Sequence, residues 1–165
     1  MTGTAQEIFS YLMGQDREKV WDLEEHRDKR SLRQNAYYWQ LITKVAAKLR
    51  ISTSRLHNLM LRDADRPLVI GGKVQFVSIP DTDEAEEDAL ESTTFHVKPT
   101  SKTTVGEKGT VFRWYRMLRG SHDMNTEEFS FLVDLLIEEA KQQGIETIPP
   151  DELARMRELE KGYKG

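Results

Sequence analysis

Residues 110–144 read TVFRWYRMLRGSHDMNTEEFSFLVDLLIEEAKQQG, and the fold class turns on them. Thr110 to Leu118 is aromatic and β-branched, which predicts a strand with side chains alternating between two faces. Gly120 and Ser121 break it. From Asn125 onward the apolar residues fall at Phe129, Leu132, Val133, Leu136 and Ala140, the period of an amphipathic helix. Asn125 is the predicted N-cap, Glu128 holds the capping-box position, and Gly144 is placed just past the helix end.

Working outward, Pro149-Pro150 starts a charged helix through about Glu160. Upstream, Ser31 is a predicted N-cap with Gln34 three residues on, opening a helix to about Arg50. A shorter helix follows, from Ser52 or Thr53 to Arg62. Ala5 to Met13 reads as a short helix and Val20 to His26 as a strand. Leu68 to Ile79 reads as a hairpin turning at Gly71-Gly72, and Thr93 to Lys98 as another strand. Two segments are expected to be irregular: an acidic loop at 81–91 and a mobile loop at 99–109, rich in Pro, Thr, Ser and Gly. The expected fold is a single α+β domain over residues 1–165, with a small, mostly antiparallel sheet and helices at both ends.

The 165 residues are 38% hydrophobic and 32% charged, with no cysteine. That excludes disulfides, thiolate metal sites and a cysteine nucleophile. Met1 to Met13 has neither a basic start nor a long apolar run, so no signal peptide is expected, and no stretch has the length of a membrane span. A cytoplasmic protein is expected. The net charge of −4 argues against nucleic acid, but its distribution argues the other way. His26 to Arg62 holds nine Lys or Arg and one acid, and Lys98 to Arg119 holds six and one. Between them Asp81 to Glu91 holds seven acids and no base. Segregated charge makes local fields that the sum hides.

Two constellations carry function. On the helix from Leu32, Tyr38, Leu41, Ile42, Val45 and Leu49 form the core face. Arg33, Tyr37, Gln40, Lys44 and Lys48 lie opposite, where cations can meet phosphates and a ring can stack on an unpaired base. The same stripe also fits an ordinary solvated face. Trp39, on the helix shoulder with Asn35, is either a stacking platform or a ring at the core edge. On the strand, alternation separates Phe112, Trp114, Arg116 and Leu118 from Arg113, Tyr115, Met117 and Arg119. The second set, arginines around an aromatic ring, is the candidate binding strip. Outside the core stripe of the last long helix, Phe131 and Leu135 form a candidate dimer patch. The four histidines show no metal-ligand spacing, and no phosphate-loop or serine-hydrolase motif occurs, so no metal or cofactor is expected. His122-Asp123 reads as turn chemistry.

Arg30-Ser31-Leu32-Arg33-Gln34-Asn35, followed by Tyr38-Trp39 and Leu41, resembles the R-S-L-x-Q-N-x-x-x-W-x-L segment of the NinB/Orf family of phage recombination proteins. Met124 to Phe129, then Leu132, Leu135, Leu136 and Gly144-Ile145, resembles that family's second helix, in the same order along the chain. The resemblance covers about a third of the chain. It implies a phage- or prophage-encoded, non-catalytic mediator that binds single-stranded DNA as a homodimer beside phage or host recombination proteins. The expected contacts are Arg30, Arg33, Tyr37, Trp39, Lys44 and Lys48, with Arg113, Tyr115 and Arg119 as a second strip. Two alternatives stay open. One is a metal-dependent nuclease, or its relic, built on His122 and Asp123. The other is an acidic protein-interaction factor, such as a host-defence inhibitor, using residues 81–91.

Overall fold

The computed structural model describes residues 3–16, 18–21 and 32–161. They form α1 (Ala5–Met13), α2 (Leu32–Leu49), α3 (Thr53–Ala64), β1 (Val69–Ile70), β2 (Lys73–Val74), β3 (Phe76–Pro80), α4 (Asp83–Glu91), β4 (His96–Val105), β5 (Val111–Leu118), a 3-10 turn (Ser121–Asp123), α5 (Thr126–Gln142) and α6 (Pro150–Lys161). The fold is α+β, with two small antiparallel sheets, β1-β2 and β3-β5-β4. No helix among the described residues is long and apolar enough to cross a membrane.

The larger core is helical. Tyr38, Ile42 and Val45 of α2 pack with Leu56 and Leu61 of α3 and with Phe129, Leu132, Val133 and Leu136 of α5, all essentially inaccessible to water. Each such side chain contributes about 1.5–3 kcal/mol of burial. The helix ends are defined locally. Arg50 takes a left-handed conformation after α2, and the Ser52 hydroxyl accepts from the Arg55 amide to start α3. Asn125 and Glu128 form the reciprocal capping box of α5. Past its end Gly144 has φ +69°, where an L side chain would be strained.

The smaller core lies between α4 and one face of the sheet. Ala89, Val97 and Tyr115 are buried there, with Val77, Ile79 and Met117 partly buried against them. Here the acidic segment departs from the expected loop, because Asp83–Glu91 is a helix. Thr82 caps it, accepting from the Ala85 amide, and Asp83, Glu84 and Glu86 occupy the first turn, where the helix dipole favours acids. Its charges are matched from α3. Arg55 pairs with Glu87, and Arg62 pairs with Glu86 (Nη2 to Oε2 3.1 Å) while its Nε donates to the Val97 carbonyl at 2.8 Å. The run of like charge looked unstructured because its counter-ions lie 24 to 32 residues upstream.

The expected mobile loop at 99–109 is mostly strand. β4 runs through Val105, and the turn closes with the Gly106 amide donating to the Thr110 carbonyl at 2.8 Å. Threonines are good strand formers when a partner strand is present. The Thr100 hydroxyl donates to the Trp114 carbonyl at 2.7 Å. Pro99 sits on the sheet-edge strand, where the missing amide is tolerated, next to a register shift between Pro99 and Thr103. The strand expected from Thr93 begins at His96 instead. The hairpin turns at Gly71 (φ +57°) and Gly72 (φ +75°), as a type I′ turn requires. Only 69–74 belong to it, however, since Phe76–Pro80 leave it to pair with β5. Most of the strand expected at Val20 to His26 lies outside the described residues, as does Ser31. Val20 and Trp21 are not in a strand.

Glu86 also accepts from the Tyr115 hydroxyl at 2.8 Å. Burial alone would raise its carboxyl, but the bonds from Arg62 and Tyr115 outweigh that and hold it below the ordinary carboxylate value. Its stabilising contribution is therefore present above the ordinary range and lost as pH falls through the depressed value. Glu86→Ala leaves the Arg62 guanidinium and the Tyr115 hydroxyl without their acceptor. The expected loss is about 2 kcal/mol or more in urea unfolding at neutral pH. An unchanged urea midpoint would show that α4 is not anchored through this carboxylate.

Candidate nucleic-acid interface

The α2 stripe is partly as expected. Arg33, Lys44 and Lys48 are exposed on one side of the helix, and none forms an ion pair with a described residue. Tyr37 is not a free ring. It is half-buried against the helical core, and its hydroxyl accepts from the Ile148 amide at 3.2 Å. Trp39 is 37% exposed but tilts against His57 at 4.7 Å between ring centres and meets Tyr38 edge-on. Arg30 lies outside the described residues. Gln34 is buried, accepting from Arg157 Nε at 3.0 Å and bonded to the Ser130 hydroxyl at 3.1 Å, so this residue of the family-like box ties α2 to α5 and α6.

The second strip is not a surface. Tyr115 is 2% exposed, and burial, followed by its bond to Glu86, pushes its phenol up to about 12. Arg113 is bonded to both oxygens of Asp81 (2.8 and 3.2 Å) and to the Thr100 carbonyl, and Arg119 to Glu128 at 2.6 Å. The alternation of β5 is right, but α4 covers the Tyr115 face. On the other face Leu118 is buried in the helical core, as expected, while Phe112 and Trp114 stay partly exposed.

Register defines that open face. Phe76, Ser78 and Pro80 of β3 lie opposite Arg116, Trp114 and Phe112 of β5, and Lys98 and Thr104 of β4 complete it. Phe76 is 50% exposed, and the Lys102 ammonium lies 5.6 Å from the Trp114 ring centre. Lys102 pairs with no acid among the described residues. The acid found on this face is Asp65, at the left-handed end of α3, which binds both Arg116 and Lys98 (3.3 Å to the lysine). Burial would raise its carboxyl, but its bonds to the two cations hold it lower. Aromatic rings beside unpaired ammonium groups can stack bases and neutralise phosphates. The sequence signals were the alternation of Phe76, Ser78 and Pro80, absorbed into the hairpin, and Lys102, placed in the expected loop.

The dimer patch is split. Phe131 is exposed, with the Arg66 guanidinium 5.5 Å from its ring centre, while Leu135 is partly buried against the helical core. His122 and Asp123 are exposed in the 3-10 turn. No group of three or more His, Asp or Glu among the described residues is arranged to hold a metal.

His96, at the start of β4, packs against Asn58 and His57 of α3. Asn58 Nδ2 donates to the carbonyls of Leu90 and Ser92 (2.7 and 2.8 Å), which orients its Oδ1 toward His96 Nδ1 at 2.6 Å. The proton of the neutral ring is therefore on Nδ1, and Nε2 carries the lone pair, facing Gly120. A Cβ at Gly120 would stand 3.2 Å from that nitrogen. Burial, then the neighbouring His122, holds His96 below the ordinary histidine value. The stability this contributes is complete above the unfolded value and is lost as pH falls toward the depressed folded one. An NMR titration of the ring proton should show a midpoint below 6.5 that rises in His122→Ala. A midpoint at or above the ordinary value contradicts the buried neutral ring.

No family model, curated protein or solved structure matches the chain, so function has to be inferred from its residues and their geometry.

Proposed function

We propose that the chain binds single-stranded DNA on the open face of the β3-β5-β4 sheet, as a non-catalytic recombination mediator of the NinB/Orf kind. The observation that carries this reading is exposed Phe76 on the same sheet face as Trp114, whose ring lies under the Lys102 ammonium. Unpaired bases expose flat apolar faces and duplex bases do not, so a stacking platform selects single strands. The family-like box supports the reading through its likeness, and in this chain its Gln34 acts in packing. Arg33, Lys44 and Lys48, exposed on α2, are a second group of cations that can meet phosphates. A homodimer through Phe131 belongs to the same reading. The acidic-mimic alternative is weakened, because Asp81, Glu86 and Glu87 are occupied by Arg113, Arg62 and Arg55 of the same chain.

Fluorescence anisotropy of labelled single- and double-stranded oligonucleotides across a salt series tests the assignment. Phe76→Ala should cost about 1–3 kcal/mol of single-strand affinity with little change in salt slope. Lys102→Ala should instead reduce the slope by about 0.7, the share of one phosphate. If Lys44→Ala with Lys48→Ala flattens the slope while Phe76→Ala changes nothing, the surface is α2 and not the sheet. Absence of single-strand binding at low salt removes the proposal altogether.

A further inference from the structure

We propose that the β1-β2 hairpin is an apolar wedge that separates the first base pair where a single strand on the sheet face meets duplex DNA. This rests on the single-strand reading above. Val69, Ile70 and Val74 are exposed, Ile70 by 61%, an unusual set for six residues of surface hairpin. The hairpin is rooted firmly. The Leu68 amide donates to the Met117 carbonyl, the Gln75 amide to the Leu68 carbonyl and the Met117 amide to the Gln75 carbonyl, all at 2.9–3.0 Å. Beyond that root it enters open space, with no atom within 4 Å of where a Cβ would sit on Gly71 or Gly72. A stiff base and an unsupported apolar tip are what a wedge requires, since an apolar side chain entering a base step has to resist the stacking force it displaces.

Position and charge select the occupant. Val69 lies opposite Val74, and Val74 is two residues before Phe76, so the hairpin runs directly into the stacking platform. Residues 68–80 contain Lys73 and no acid, and Lys73 makes no ion pair with a described residue. With Lys102 farther along the face, the hairpin and platform together suit a polyanion that also offers flat apolar groups. At a junction, one strand continues over Phe76 and Trp114 while the tip meets the terminal base pair.

The test uses a forked oligonucleotide with 2-aminopurine as the first paired base at the junction, alongside the matching single strand and blunt duplex. The expected result with the intact chain is a rise in 2-aminopurine fluorescence on binding the fork. Val69→Ser with Ile70→Ser should abolish the rise while binding the single strand as the parent does. Both positions are exposed, so circular dichroism and melting should match the parent. Three results overturn the wedge. The first is single-strand binding with no fluorescence rise at the fork. The second is an equal rise in the double variant. The third is a fall in molecular mass by light scattering in the variant with fork opening intact, which assigns the tip to contact with a second copy. Failure of the parent to bind the single strand at all marks failure of the underlying reading and not of the hairpin alone.

Discussion

Glu86 lies between the Arg62 guanidinium of α3 and the Tyr115 hydroxyl of β5, and the arrangement of the sheet follows from what that carboxylate needs. A half-buried carboxylate is costly unless its oxygens are bonded. Both are, and the same Arg62 reaches the Val97 carbonyl at the outer edge of β4. One ion pair thus joins α3, α4, β4 and β5. With Ala89 and Leu90 buried beneath it, α4 is held over the Tyr115 face. On the opposite face Phe76 and Lys102 are exposed and Trp114 is partly so.

That choice between faces separates the legible from the illegible. A period of two marked β5 correctly, and a period of 3.6 with a capping box marked α5 to within a residue. Those signals are local: backbone geometry forces the alternation, and the cap acts over three residues. Which face of β5 is covered depends on α4, at Asp83–Glu91, well upstream of Val111–Leu118. Its own sequence, seven acids in eleven residues, resembles a solvated loop until Arg55 and Arg62 are placed against it. The threonines of β4 are ambiguous for the same reason, because a strand edge is stable only beside its partner.

The candidate site shows the same division. The cations of α2 were found because a helix displays its outer face by period alone. Tyr37 looks free in the sequence because Ile148, whose amide donates to its hydroxyl, is 111 residues away. Gln34 occupies a local capping-box position by spacing, and it is also a buried junction between three helices, with partners 96 and 123 residues distant. The family-like box is thus recognisable in the sequence while the work its glutamine performs is tertiary. Arg113 and Arg119 look like free charge along the strand, but they pair with Asp81 and Glu128.

By itself the sequence determined the α+β class, the span of α1, the core stripe of α2, the cap of α5 and the Gly71-Gly72 turn, because each follows from torsional preference or from periodicity within one element. The tertiary structure decided that the acidic run is a helix, that Tyr115 is interior, and that Phe76 and Lys102 share an open face with Trp114. Those outcomes depend on pairing charges and strands far apart in the chain. The energy of such pairs depends on the water they exclude together, which no single segment specifies.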